Sequence, residues 1–284
     1  MKKIAFIGAG SMAEAIISGL ITGGVVTPSQ IYVRNRNNQD RLAKLKRQYK
    51  INICTALDEL LEGADVVLLA VKPKDVLAAM NTIHPYIQEH MLFISVAAGV
   101  STKSLEEVLQ KEMAIVRAMP NTSAAVGKSA TAIAANKYTD QSQLELAKRL
   151  FDTIGLATVV DEHHLDGVTG LSGSGPAYIY YLVEAMEKSS ESLGLDKATS
   201  KQLIIQTLIG AAEMLNRTEK TPATLRKEVT SPGGTTEAGI KVLEAHGVKE
   251  ALISCIQEAA LQSQRMGMQI SSEMLQPKAI KKNA

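Results

Sequence analysis

The stretch IAFIGAGSMAEAI (residues 4–16) decides the reading of this chain. Four apolar residues run into Gly8, Ala9 and Gly10, and a helix-compatible segment opens directly behind them. Gly8, Gly10 and Ala13 stand in G-x-G-x-x-A spacing, and each has a separate task in a strand–turn–helix unit. Gly8 permits the tight turn, Gly10 lets the backbone approach a pyrophosphate, and Ala13 lets helix and strand pack closely. The first helical residues, Ser11 and Met12, bring amides and the positive end of the helix dipole. A purely structural glycine turn is the alternative. The position between an apolar strand and a helix favours dinucleotide binding.

From Lys2 to about Val160, short apolar runs alternate with helical stretches, and KIAFIG, IYVRN, DVVLLAV, LFISVAA, AIVRAMP and SATAIAA are the candidate strands. Their nearly continuous hydrophobicity is that of strands buried on both faces of a parallel sheet. The alternation predicts a doubly wound α/β domain. After LATVVDEHHLD (residues 156–166) it stops, and the rest reads as helices: residues 176–194, 198–217, a short one at 221–229, one from Thr235 and one from about Val248 to Met266. Asp196, Thr221 and Thr235 suit N-cap or first-turn positions, and Gly194 suits a helix stop. The expected architecture is an N-terminal Rossmann-like doubly wound sheet over residues 1–162 and an all-helical domain over 163–284. The basic tail LQPKAIKKNA is expected to fray.

Composition narrows the function classes. The 284 residues are 45% apolar, enough for two cores, and 31 Lys and Arg nearly cancel 29 Asp and Glu to leave a net charge of +2. With no global field, nucleic acid and anionic membranes are not expected partners, and an anionic ligand must be held locally. Cys54 and Cys255 form neither a disulfide framework nor a zinc pattern, which fits a reducing cytosol, and the N-terminus resembles neither a signal peptide nor a membrane span. A cytoplasmic enzyme without a metal is the expectation.

At the end of the second strand, where an NAD enzyme would place an acid, the chain has Arg34, Asn35 and Arg36. A guanidinium matches a 2′-phosphate that a carboxylate would repel, so NADPH is favoured, with NADH also accepted. Solvated surface charge is the other reading. Ala70, Lys72 and Pro73 follow the next strand at the sheet's carboxyl edge. Lys72 stands either beside the cofactor phosphates or ribose, or in solvent. In MPNTSAAVG (residues 119–127), Asn121 and Thr122 either bond a nicotinamide amide or close a turn. His163 and His164, in a polar run, read as solvated.

Two further stretches are LSGSGPAYIYY (residues 171–181) and LRKEVTSPGGTTEAGI (residues 225–240). In the first, Gly173 and Gly175 permit close backbone approach and Pro176 suits a first helical turn. In the second, a Pro, two glycines and two threonines precede a helix. Together with IGAGSMAEAI, AVKP and MPNTSAAVG in this order, they make the chain resemble the Δ1-pyrroline-5-carboxylate reductases over nearly its whole length. The resemblance implies NAD(P)H-dependent reduction of the cyclic imine to L-proline, the last step of proline biosynthesis. It implies that residues 229–236 grip the substrate carboxylate, through Val229, Ser231, Gly234, Thr235 and Thr236, and that the Thr236 hydroxyl faces the ring nitrogen as the catalytic contact. It also implies a loop at residues 174–176 near the nicotinamide, with Ser174 touching the cofactor. A homodimer through the helical domain, extending to a larger ring, is implied as well. A helix N-terminus offering several N–H donors and hydroxyls can hold a carboxylate without any arginine. Glu219, upstream of the turn, is a tuning residue at most. Two rivals are a β-hydroxyacid-dehydrogenase-like enzyme using Lys188 and a noncatalytic NADP-binding regulator.

Overall fold

The computed structural model describes residues 1–275. The tail expected to fray lies outside the described residues except for Leu275, which ends the last helix. The order is β1 (Ile4–Ile7), α1 (Ser11–Thr22), β2 (Ile31–Arg34), α2 (Gln39–Tyr49), β3 (Asn52–Ile53), α3 (Leu57–Leu61), β4 (Val66–Leu69), α4 (Val76–Ile83), β5 (Leu92–Ser95), α5 (Thr102–Leu109), β6 (Ile115–Met119), β7 (Ser129–Ala135), α6 (Gln141–Asp152) and β8 (Gly155–Val159). These strands form one sheet in the order β3-β2-β1-β4-β5-β6-β7-β8. Successive strands are added outward from β1 on one side as far as β3 and then on the other side starting with β4, so the strand order reverses between the parallel neighbours β1 and β4, and this is the switch point at which α/β sheets bind ligands.

Alternate residues of β1 serve opposite faces. Ile4 and Phe6 join a core with Ile16, Leu20, Leu42, Leu45 and Phe151, while Ala5 and Ile7 join one with Leu61, Val76, Met80, Leu105 and Leu109. Helices therefore cover both faces, as the unbroken apolar strands require.

Two features depart from the sequence reading. The sheet is not parallel throughout: β7 pairs antiparallel with β6, Val116 opposite Ala135. The connection at residues 120–128 holds a short 3₁₀ turn and no full crossover helix, so the strand returns beside its predecessor. Two strands also escaped the reading. β3 is two residues long, and β8 is a sheet edge in which only Ala157 is buried.

The chain then continues through α7 (Leu165–Val168), α8 (Gly175–Ser192), α9 (Lys197–Arg217), α10 (Pro222–Glu228), α11 (Thr235–Ala245) and α12 (Val248–Leu275). Asp196 caps α9 by accepting from the Ala198 and Thr199 amides, Thr221 caps α10, and Gly194 takes φ +80° after α8. The chain divides into two compact units, one of Met1–Ser174 with residues 257–275, the other Gly175–Ile256. The division differs from a boundary at 162/163, because α7 stays with the sheet and the end of α12 returns to it. There Ile270 and Met274 enter the second core, the Ser104 and Ser271 hydroxyls bond at 2.8 Å, and a Cβ on Gly267 would come within 2.5 Å of the Gly99 carbonyl oxygen. In the second unit, only Ser190, Ser200 and Ile204 are buried. Among the described residues, no helix is long and apolar enough to cross a membrane.

Candidate active site

Parallel pairing sets Ile7 level with Arg34 on one side and with Leu69 on the other, so three strands end at one edge. There they enclose a cavity of about 470 Å³. Gly8, Gly10 and Ser11 line it from the first turn, Arg34, Asn35 and Arg36 from the second, and Ala70 and Lys72 from the third.

The two glycines differ in what they do. Gly8 sits at φ +105°, and a Cβ there would lie 2.3 Å from the Ala70 carbonyl oxygen. Its conformation and its crowding are set by the protein itself. Gly10 has an ordinary extended backbone at the N-cap of α1, and a Cβ on it would meet no atom within 4 Å. It borders open cavity, so a side chain there would take ligand space. Ala13 is fully buried against the core, and Met12 packs on that core. Neither Met12, Ala13 nor Pro73 lines the cavity; Pro73 opens the 3₁₀ turn that carries the chain away from Lys72.

The second turn is cationic and has no carboxylate at the end of β2. Arg34 donates from Nε to the Thr55 carbonyl at 3.1 Å, Arg36 is exposed, and Lys72 is exposed at the rim. Asp75 is the one acid among the lining residues. One lining residue was not foreseen: Arg41, on the first turn of α2. In sequence it belongs to the charge-rich run QDRLAKLKRQY, which reads as a solvated helix face. Only the fold brings it to the glycine turn.

Asn121 closes a turn. It is buried, its Oδ1 accepts from the Ser123 amide at 3.1 Å, and its Nδ2 donates to the Ser172 carbonyl at 2.9 Å. Around the loop expected at residues 174–176, residues 169–173 form a π-turn, Ser174 is the bend behind it with its amide donating to the Thr169 carbonyl at 2.8 Å, and α8 starts at Gly175. A Cβ on Gly173 would lie 2.6 Å from Met119 Cε, the movable end of a flexible side chain. Ser174 is not among the residues lining the cavity. His163 and His164 are exposed with ring centroids 3.8 Å apart, and together with Asp161 they bring three ligand atoms within 4.8 Å of one another.

Beside them, Glu162 turns inward. Its carboxylate accepts from the Thr102 amide at 2.7 Å, the Thr102 hydroxyl at 2.5 Å and Arg117 Nη1 at 2.9 Å. Burial pushes this carboxyl up, but those donors outweigh it and hold it below the usual carboxylate range.

The second candidate region is the turn before α11. Gly233 takes φ +71° and donates its N–H to Glu237 Oε2 at 2.8 Å, and Gly234 donates to the Ser231 carbonyl at 3.0 Å. Gly234, the N-cap, has φ −83°, so the left-handed residue of the pair is Gly233. Gly234 is nonetheless tight, with a Cβ position 3.0 Å from the Ser231 oxygen. With those amides engaged, the first-turn N–H groups of Thr235 and Thr236 face outward from an N-cap without a side-chain acceptor. Among the described residues, none hydrogen-bonds the Thr235 or Thr236 hydroxyl, and Val229, Ser231, Thr235 and Thr236 are all exposed. Glu219 and Lys188 are exposed as well.

A glycine turn, a cationic second turn and a cavity at the switch point define a dinucleotide-dependent oxidoreductase of the α/β class. The comparisons with known proteins narrow this. Residues 3–99 match the family model described as NADP oxidoreductase, coenzyme F420-dependent, and residues 162–266 the one described as pyrroline-5-carboxylate reductase dimerisation. Pyrroline-5-carboxylate reductase 2 of Bacillus subtilis (strain 168) is 46% identical over 276 residues, covering 97% of this chain and 99% of the relative. A solved pyrroline-5-carboxylate reductase from Coxiella burnetii has a TM-score of 0.85 at 40% identity, covering 93% of this chain and 98% of the other. The pyrroline carboxylate reductase of Plasmodium falciparum, solved with NADP bound, has a TM-score of 0.85 at 28% identity with the same coverage. The chain belongs to the pyrroline-5-carboxylate reductase family and is an NAD(P)H-dependent oxidoreductase of proline biosynthesis.

Proposed function

We propose that this chain reduces Δ1-pyrroline-5-carboxylate to L-proline with NADPH as the favoured donor, NADPH lying in the cavity and the substrate carboxylate at the turn before α11. The observation that carries the reading is the presence in one chain of a glycine-turn cavity and a helix N-terminus with outward amides and two threonine hydroxyls. Gly10 fits the cofactor because the only thing a Cβ there would displace is cavity. When bound, NADPH supplies a hydride from C4 of its dihydronicotinamide. Everything else is orientation, and holding reactants correctly is worth about 7 to 11 kcal/mol in the best cases.

In this reading, Ser231 and the Thr235 and Thr236 amides hold the carboxylate at the positive end of α11, with Val229 and Gly234 shaping the approach. Glu237 braces the turn by engaging the Gly233 N–H, and Lys241 at 3.3 Å offsets its charge. The Thr236 hydroxyl faces the ring nitrogen and holds the protonated iminium, the form that accepts hydride. Ser174 is assigned to the nicotinamide end. Arg34 and Arg36 read the 2′-phosphate, supported by the absence of an acid at the end of β2. We assign a cytoplasmic location and a homodimer through the helical part, with residues 1–162 binding dinucleotide and 163–284 serving substrate and association. The matched dimerisation model supports the association.

NADPH oxidation with pyrroline-5-carboxylate, against 3-hydroxyacids as controls, tests the reaction. Thr236→Ala should lower kcat/KM at least tenfold while NADPH binding stays within a few fold, since the hydroxyl oxygen accepts from the iminium N–H and loss of one hydrogen bond aimed at the reacting group costs up to about 2.7 to 4 kcal/mol. Parent turnover by this variant would remove Thr236 from the site. Arg34→Ala with Arg36→Ala should erase a NADPH preference of about tenfold to a hundredfold, the worth of a charge-assisted contact. An unchanged preference would make both side chains mere surface charge.

A further inference from the structure

Arg41 is committed to protein partners on one side of the cavity. Its Nε donates to the Ala9 carbonyl at 2.9 Å, and its Nη2 reaches Glu14 Oε2 at 2.5 Å and the Gly10 carbonyl at 3.4 Å. Its backbone N–H is held as well, by the Asn38 side chain capping α2. Glu14, in the first turn of α1, also accepts from the Tyr49 hydroxyl at 3.4 Å. Both charged side chains are about four-fifths covered, with 20% and 22% exposure. One residue therefore joins the first turn of α2 to two carbonyls of the glycine turn, those of Ala9 and Gly10, and to the helix behind it.

We propose that Arg41 is a positioning residue of the dinucleotide site, pinned by Glu14, which fixes the glycine turn for NADPH and NADH alike. Two physical arguments support it. A turn containing Gly8 and Gly10 has wide conformational freedom, and a site already ordered before binding does not lose that freedom against affinity. In addition, Glu14 stands in the first turn of the helix whose N-terminus receives a pyrophosphate, and Arg41 neutralises a carboxylate that would repel it. The pyrophosphate is common to both dinucleotides, so the effect must be common too. Arg34 and Arg36 differ in kind: the effect assigned to them falls on the 2′-phosphate alone.

This inference rests on the cavity being the dinucleotide site. The test measures Kd for NADPH and for NADH by fluorescence titration in the parent, Arg41→Ala and Glu14→Gln, with Arg34→Ala plus Arg36→Ala as the comparison. Both Kd values should rise by about tenfold in Arg41→Ala, the fold-change of one charge-assisted hydrogen bond, leaving their ratio within twofold of the parent. In Glu14→Gln the lost pin raises both Kd values while the lost carboxylate lowers them, so both should move by one small common factor with their ratio within twofold of the parent. Turnover at saturating NADPH should hold in both while the KM for the dinucleotide rises, which a general loss of structure would not produce. A rise for NADPH alone would make Arg41 a phosphate reader and overturn the proposal, as would no change for either dinucleotide. If circular dichroism shows that Arg41→Ala does not fold, Arg41→Lys, which keeps the charge and loses the fork that reaches the Ala9 and Gly10 carbonyls, decides by the same criteria. A parent that binds neither dinucleotide defeats the site assignment itself, and that is visible before any variant is made.

Discussion

Replacing Gly8 and Gly10 by alanine, one at a time, separates what the glycine turn does for the fold from what it does for the ligand. At Gly8 the new Cβ would sit 2.3 Å from the Ala70 oxygen and 2.8 Å from its carbonyl carbon, where ordinary contact begins at 3.4 Å. Neither atom can yield cheaply, because the Ala70 amide is tied to the Ile7 carbonyl at 2.8 Å. Left-handed backbone strain of about 1 to 3 kcal/mol adds to overpacking of about 1 to 3 kcal/mol, so about 4 kcal/mol is lost. For a unit of this size that lowers Tm by about 8 to 16 °C. At Gly10 no protein atom is within 4 Å, and the only cost to the free protein is a poorer N-cap, about 0.5 to 1 kcal/mol and a few degrees at most. The added methyl instead takes space beside the pyrophosphate, and Kd for NADPH should rise at least tenfold, about 1.4 kcal/mol. Scanning calorimetry and NADPH fluorescence titration on the two variants read both quantities. Parent affinity in Gly10→Ala would show that the pyrophosphate does not lie against this turn. Parent Tm in Gly8→Ala would refute the steric reasoning from Cβ positions.

Glu162→Gln should destabilise the protein by about 3 kcal/mol, the low end for breaking a covered pair because Glu162 keeps 30% exposure, and Arg117, 9% exposed, is left without its counter-charge. Because the folded carboxyl is held below its ordinary range, its contribution is present above the unfolded pKa and is lost as pH falls through the folded value. Urea titrations from neutral pH downward should therefore show a flatter acid limb in the variant, and an equally steep limb would show that Glu162 adds nothing. Separately, light scattering after gel filtration at micromolar concentration should find a dimer or larger. Tyr181 is 75% exposed, Leu193 75%, Leu203 55% and Ile209 51%, and a monomer would leave that apolar surface to water.

What could be read in the sequence and what could not follow from how far each signal reaches along the chain. The glycine turn, the end of β2, Asp196, Thr221 and Gly194 are local: each backbone requirement is met by the residue at that position or by one a few places away. β3 and β8 were missed because two residues carry no period and a one-sided edge strand carries a weak one. The antiparallel β7 reads like its neighbours in hydrophobicity, and only the lack of a full helix in residues 120–128 betrays its direction. Gly233 and Gly234 were both legible as a turn, but which of them takes positive φ depends on Glu237 reaching back to Gly233, a choice made by geometry.

Arg41 and the end of α12 mark the limit. Glu14 and Arg41 are 27 residues apart, Ser104 and Ser271 are 167 apart, and neither pair leaves any spacing that a periodic reading detects. The helical unit is the opposite case. Its helices are apolar on more than one stripe, which is visible in LIIQTLIGAAEML, and the structure leaves that surface exposed across Gly175–Ile256. A chain that could bury those residues alone would show a core here. Ile204, at 7% exposure, is the only large apolar residue of the unit that is buried, and a unit with so small a core of its own is the reason to expect light scattering to find a dimer or larger.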